Sequence, residues 1–130
     1  MSGAEQAVRA RALALLSADD ALAGLVHGMF DGVPPRASAP YVSVGAAEGV
    51  DWGTKDRAGR EVRLTLVLAG AGSAPDGQAA ARIEAVAQAL RGAADGWRIV
   101  GARVVRTRFG FGRDGGWRHE MVVRCRCLAG

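Results

Sequence analysis

The stretch REVRLTLVLA, residues 60–69, alternates apolar and polar side chains. Successive side chains of a β-strand point to opposite faces of a sheet, so a period of two predicts a strand with one buried side. The buried side is predicted to hold Val62, Leu64, Leu66 and Leu68, and the other side Glu61, Arg63 and Thr65.

The segments around this strand show helical or alternating patterns of their own. Apolar residues at helical spacing predict two longer helices, and Ser17 resembles the N-cap of a short helix that ends near Gly28. The glycine-rich stretch FGFGRDGG, residues 109–116, predicts a turn between the last two strands. Beside the short helix, the predicted elements are helices at 4–16 and 78–91 and strands at 41–48, 60–69, 97–109 and 117–128.

In the order ααββαββ, these elements predict an α+β fold, with a four-stranded, mostly antiparallel sheet and helices packed on one face. We expect the last strand to insert between the second and the third, which gives the strand order 1-2-4-3. The length of 130 residues suits a single domain.

The basic residues are concentrated at the C-terminal end. Lys55 is the only lysine, and the abundance of Arg, Ala and Gly is typical of a GC-rich genome, so arginine content alone is weak evidence for nucleic acid. Residues 98–130 nevertheless carry eight arginines against Asp114 and Glu120. This excess indicates either a solvated strand face or a surface for a polyanion or an acidic partner.

The two cysteines and the hydropathy pattern indicate the cellular compartment in which the protein is expected. Cys125 and Cys127 lie two apart on one predicted strand, too far apart for an unstrained disulfide, and two thiols fall short of a zinc site. We interpret them as buried small apolar side chains in a reducing compartment. No segment reaches the eighteen or so apolar residues of a membrane span, so we expect a cytoplasmic protein without membrane contact.

Motifs for catalysis or cofactor binding are absent from the sequence. The stretch GFGRDG, residues 110–115, has the letters of a dinucleotide fingerprint, but it opens a strand rather than a helix. The loop AGAGSAPDG, residues 69–77, lacks the lysine of a phosphate loop. His27 and His119 have no metal-ligand spacing around them. We therefore predict no catalytic, cofactor-binding or metal site and no enzymatic activity.

Several motifs, in order along nearly the whole chain, resemble the tail terminator, or tail completion, proteins of long-tailed phages and gene transfer agents. They are LAGLV at residues 22–26, FDGVP at 30–34, PYV at 40–42, DWGTKD at 51–56, GRE at 59–61, WRIV at 97–100 and the closing RCRC at 124–127. The DWGTK motif followed by a strand is the most specific of them. The resemblance makes residues 1–130 one tail-terminator-like domain, without indicating whether the source is a phage, a prophage remnant or a gene transfer agent.

The resemblance implies a structural role in virion assembly. Members form a six-fold ring on the head-proximal end of the tail tube, which stops tube polymerisation and presents a surface to the head connector, with DNA passing through the centre. The implied partners are further copies of the chain, the tail tube protein, the head–tail connector or stopper protein, and DNA without sequence specificity. The implied location is the bacterial cytoplasm during assembly and then the tail of the particle.

Two sets of residues are candidates for this role. Trp52 in a charged loop favours an assembly contact, with packing of Trp52 on its own core as the alternative. The prolines stiffen the segment 34–40 as an arm or as an ordinary loop. The assembly candidates are Pro34, Pro35, Tyr41, Asp51, Trp52, Thr54 and Lys55.

The second set consists of arginines on the last two strands, Arg106, Arg108, Arg124 and Arg126. Within each pair, the two arginines share a sheet face, and the strands form a hairpin, so we expect one basic patch. It would face DNA in a ring channel or pair with acidic residues of a neighbouring subunit or the tube. The competing function is a small basic nucleic-acid-binding module, for which Phe109, Phe111 and Trp117 are the only aromatic side chains near the arginines.

Overall fold

A computed structural model describes residues 3–72 and 76–130, which form three helices and six strands in the order ααβββαβββ. The helices are α1 (Ala4–Ala18), α2 (Asp20–Ala23) and α3 (Gly77–Gln88). The strands are β1 (Met29–Asp31), β2 (Tyr41–Asp51), β3 (Gly59–Ala71), β4 (Gly92–Ala94), β5 (Trp97–Phe111) and β6 (Gly116–Ala129).

All six strands belong to one mixed sheet with the order β1-β2-β3-β6-β5-β4. β1 and β2 are parallel, and every other neighbouring pair is antiparallel. The α+β class is confirmed, but the prediction of four strands is wrong, and the element order differs from the one expected because of the two additional strands, whereas the four long strands follow the predicted order 1-2-4-3. Among the long strands, the C-terminal β6 lies between β3 and β5.

The two additional strands have only three residues each, too few to show an alternating pattern. β1 follows Gly28, near which the short helix was predicted to end, and pairs with Val42–Val44 of β2. β4 begins at Gly92, which was predicted to end a helix. Gly92 has a φ of 134°, a conformation that glycine adopts readily, so the chain turns there directly into a strand.

The helix boundaries differ from the prediction because other residues cap the helices. Asp19, rather than Ser17, is the N-cap of α2, and its carboxylate accepts a hydrogen bond from the Leu22 N–H at 2.9 Å. The Arg82 guanidinium on α3 donates to the same carboxylate at 2.6 Å and holds the pKa of Asp19 below its usual value. Asp76 caps α3, which ends at Gln88 rather than at residue 91. Residues 73–75 of the predicted loop 69–77 lie outside the described residues, and residues 69–71 belong to β3.

The helices pack on one face of the sheet, as predicted. This face holds the four apolar residues predicted for β3, and Met121, Val123, Cys125 and Cys127 of β6 are buried on the same side. Both cysteines are free thiols, and burial raises the pKa of Cys125 to about 12 and that of Cys127 to about 11. The helices contribute buried apolar residues that include Val8, Ala12, Leu16 and Ile83, and Leu90, just beyond α3, belongs to the same core.

Two arginines attach α1 to the rest of the domain. Arg9 donates to the carbonyl oxygens of Gly45 (2.9 Å) and Val44 (3.0 Å) and pairs with Asp31, so it connects α1 with β1 and β2. Arg11 donates to the carbonyl oxygens of Leu90 (2.7 Å), Arg91 (2.9 Å) and Ala93 (3.3 Å), beyond the end of α3. These bonds hold α1 against β2 and against the segment that follows α3. No helix in the described part of the chain is long and apolar enough to cross a bilayer.

Candidate assembly surface

The sheet side away from the helices, here called the open face, carries a row of three arginines. Arg63 of β3 lies directly opposite Arg124 of β6, and Arg124 lies opposite Arg103 of β5. Directly opposed residues have their Cα atoms about 4.5–5.5 Å apart, and like charges at that distance repel each other. We call Arg63, Arg103 and Arg124 the arginine row. Glu48 of β2 lies opposite Arg63 at one end of the row, so the row with this carboxylate keeps an excess of positive charge.

The four arginines predicted from the sequence also lie on the open face, but they do not form one uniform patch. Arg106 lies opposite Val122, and Arg108 lies opposite Glu120. Arg126 donates to the Glu61 carboxylate at 3.1 Å and stacks over the Trp52 ring, with its guanidinium carbon 5.4 Å from the ring centroid. Arg126 is therefore engaged within its own chain, and Arg63 of the arginine row makes a longer ion pair with the same Glu61 carboxylate, at 4.0 Å.

Sequence reasoning missed Arg103 because of a β-bulge. The pairing of β5 with β6 shifts between Val104 and Arg106, which leaves the residue between them without a partner. An extra residue reverses the alternation of faces, so Arg103 shares the face of Arg106 and Arg108 although their numbers differ in parity.

The signal for Arg63 was present in the sequence, because Arg63 lies between Val62 and Leu64, which are both buried on the helix-covered face. Alternation alone therefore places Arg63 on the open face. Its position opposite Arg124 depends on the strand order, which puts β6 beside β3.

One end of the open face is covered by the chain itself. Ser43, Val67 and Ala69 point away from the helices, yet all three are buried. The Phe30 and Tyr41 rings meet edge to face on this side with their centroids 5.8 Å apart. Alanines of the proline-rich loop line a shallow pocket with Tyr41 and Ala69. The proline-rich loop therefore borders this end of the open face, and the arginine row lies nearer the other end.

The predicted assembly candidates fall into two groups at opposite ends of β2. Tyr41 begins the strand after the loop that holds Pro34 and Pro35, and Asp51 ends it, just before Trp52. At about 3.3 Å per residue, eleven residues separate the groups by roughly 30 Å. The structure therefore does not bring these candidates together in one site.

The loop after β2 is a short, internally bonded turn. The Asp51 carboxylate accepts from the Gly53 N–H at 3.2 Å, and the Thr54 N–H donates to the Arg57 carbonyl oxygen at 2.8 Å. Thr54 and Lys55 are exposed, whereas Trp52 is half-buried against Arg126. The Trp52 ring is thus packed against Arg126 of its own chain and stays partly exposed.

The tip of the β5–β6 hairpin presents exposed aromatic rings. Phe109 is 39% exposed and Phe111 65% exposed, and their rings meet edge to face at 5.3 Å between centroids. Trp117 is buried beneath them, because its ring lies directly against Gly70, where an added Cβ atom would collide with the indole. The cluster is a second exposed surface. Within residues 3–72 and 76–130, no three His, Cys, Asp or Glu side chains are grouped so that they could hold a metal ion.

Comparison with known proteins identifies the class of this domain. The fold is similar to that of a chain in the virion of a native gene transfer agent particle, with a TM-score of 0.79 and 30% sequence identity, and the match covers 98% of this chain and 100% of that chain. No curated protein matches the sequence. The family model of the tail completion protein gp17 matches residues 10–129, and the chain belongs to this family of phage tail structural proteins.

Proposed function

We propose that the chain is a virion assembly protein that forms a ring, of six copies, on the head-proximal end of a tail tube. The ring terminates tube polymerisation and joins the tail to the head connector. The observation that carries this proposal is the match over nearly the whole chain to a component of a gene transfer agent virion. A structural rather than enzymatic role agrees with membership of the tail completion family.

The proposed partners are further copies of the chain, the tail tube protein, the connector or stopper protein and DNA. The subunit would be made in the bacterial cytoplasm and end in the tail of the particle. The open face, with the arginine row, would line the channel, where it attracts DNA phosphates without reading sequence. The helices would then lie on the outside of the ring.

Tail tubes of the particle provide the direct test. Purified chain is added to growing tubes, and electron micrographs record tube lengths and the density at each tube end. We expect shorter tubes and a ring at one end only. Tubes that grow to the same length with and without the chain, and that carry no ring, would contradict the proposal.

The arginine row and the exposed Phe109 and Phe111 favour one competing function, a small nucleic-acid-binding module. This function predicts tight binding of the isolated chain to DNA fragments in solution. The same preparation separates the two functions: DNA binding without any effect on tubes supports the module, and tube capping supports the assembly protein.

Replacing Trp52 with alanine is expected to abolish capping of tubes while leaving the fold intact. The Trp52 indole is half-exposed, and an exposed cation–π contact such as that with Arg126 contributes only about 0.5–1 kcal/mol. The melting temperature should therefore fall by only a few degrees. Thermal melting and the tube-end assay measure the two effects separately.

Trp117→Ala is the matched control, because Trp117 is buried. Loss of a buried tryptophan costs about 3–5 kcal/mol, so this variant should melt at a much lower temperature. If Trp52→Ala instead behaves like Trp117→Ala and still caps tubes, Trp52 serves the core of its own chain rather than assembly.

A further inference from the structure

Both edges of the sheet leave a stretch of strand unpaired. β4 pairs only with Trp97–Ile99, so the outer edge of β5 from residue 100 to 111 has no strand partner within the described part of the chain. At the opposite edge, β1 pairs only with Val42–Val44, which leaves residues 46–51 of β2 without a strand partner there among the described residues. Unpaired edges of this kind readily pair with a strand of another chain.

The two free edges lie at the same level of the sheet. Following the register across the strands, Glu48 lies level with Arg63, Arg124 and finally Arg103 at the opposite edge. In the same way, Val50 lies level with Gly101. The short strands β1 and β4 cover other positions along the two edges. The unpaired stretches of β2 and β5 therefore lie at corresponding positions in the register of the sheet.

The side chains on these edges are complementary. Glu48 is exposed at one edge and Arg103 at the other, on the same face of the sheet. Val50 is 61% exposed, one of the few large apolar side chains exposed in the described residues. The residue in register with it at the other edge is Gly101, which has no side chain and leaves room for the Val50 side chain of a neighbouring copy. Opposite charges and an apolar side chain over glycine are favourable neighbours on adjacent strands.

The strand directions also agree. Three antiparallel steps separate β2 from β5, so the two strands run in opposite directions. A second copy in the same orientation therefore brings its β2 antiparallel to β5 of the first. A contact that joins two different edges is head-to-tail, and such contacts close into rings when the rotation between copies permits.

We infer that neighbouring subunits join through these edges, with residues 46–51 of β2 in one copy adding to β5 near residues 100–105 of the next, and with Glu48 beside Arg103 of the neighbour. The inference rests on the proposed ring. In the joined sheet, all helices lie on one side and every arginine row on the other, with Glu48 of the adjoining copy at the end of each row.

A cysteine pair tests this contact directly. Within one chain, Glu48 and Arg103 are separated by β3 and β6, about 14 Å, which is too far for a disulfide. Across the proposed contact they are adjacent. The variant with both Glu48→Cys and Arg103→Cys, oxidised on tail tubes, is therefore expected to give a ladder of covalent oligomers on a denaturing gel, and each single variant none.

Charge reversal provides a second measurement with a matched control. Glu48→Arg or Arg103→Glu alone should reduce the fraction of capped tube ends about tenfold, because like charges then face each other across the contact. The double reversal should restore capping. Glu84→Arg, on the exposed side of α3, should have no effect.

The outcomes separate this inference from the proposed function. Capped tubes on which the double-cysteine chain forms no ladder, and a double reversal that folds but does not restore capping, would overturn the edge contact and leave the tail role standing. Wild-type chain that neither caps tubes nor forms rings would overturn both.

Discussion

Leu64→Asp is expected to yield no soluble, cooperatively folded protein. Leu64 is completely buried at the centre of β3, and its register partners are Ala47 of β2 and Val123 of β6. A carboxylate at this position has no cationic partner and would lose its hydration, which costs several kcal/mol. Since a domain of this kind is stable by only about 5–15 kcal/mol, one such group removes a large part or all of that stability.

Soluble yield and circular dichroism melting measure the effect, and Arg63→Asp is the matched control. Arg63 is the preceding residue of β3, lies on the open face and is exposed, so its replacement should leave the protein soluble and folded. Leu66→Asp should reproduce the loss seen at Leu64, because Leu66 is also buried. Soluble variants at both leucines that melt cooperatively would show that the assignment of the buried face is wrong.

The long strands and the helix-covered face could be predicted because they depend on periodicity along the chain. The alternation places every second residue of β3 on the same face of the sheet, and the four apolar residues on that face are buried: Val62, Leu64, Leu66 and Leu68. The short strands β1 and β4 could not be predicted in this way, because pairing with β2 and β5, not the pattern of three residues, makes them strands. The caps were missed for a similar reason: Asp19 is held by Arg82, which is distant in sequence.

The candidate surface was less predictable than the fold. The bulge after Val104 puts Arg106 and Arg108 on the same face as Arg103 although their numbers differ in parity, and no feature of the sequence marks this bulge. The contacts of Arg126 with Glu61 and Trp52 join three segments that are distant in sequence. The grouping of Tyr41 with the DWGTK motif was based on motifs, and the structure separates them along the length of β2.

The last prediction concerns the charge of the open face. Changing Arg106, Arg108, Arg124 and Arg126 to glutamine should leave ring assembly on tubes intact and weaken the hold of the ring on DNA. The physical reason is that each arginine lost from a channel removes one phosphate contact, and each contact releases counterions. The binding of DNA fragments to capped tubes, measured over a range of salt concentrations, should become weaker and less dependent on salt.

The loss of net charge needs its own control. Four exposed helix positions, changed as Ala10→Glu, Ala14→Glu, Ala81→Glu and Gln88→Glu, lower the net charge by the same amount on the other side of the sheet. If the open face lines the channel, this variant should bind DNA more strongly than the glutamine variant. Equal losses in both variants would mean that the overall charge, rather than the open face, attracts DNA.

The competing role of these arginines makes a different prediction for the same glutamine variant. Arg126 already pairs with Glu61 within the chain, so its replacement could disturb the Trp52 loop rather than a DNA contact. Arginines that bind acidic groups of a neighbouring subunit or of the tube would be needed for assembly itself. Loss of capping in the quadruple variant would therefore assign them to a protein interface. Restoring Arg126 alone would then show whether the Trp52 loop accounts for that loss, because Arg126 is the arginine of this set that stacks on Trp52.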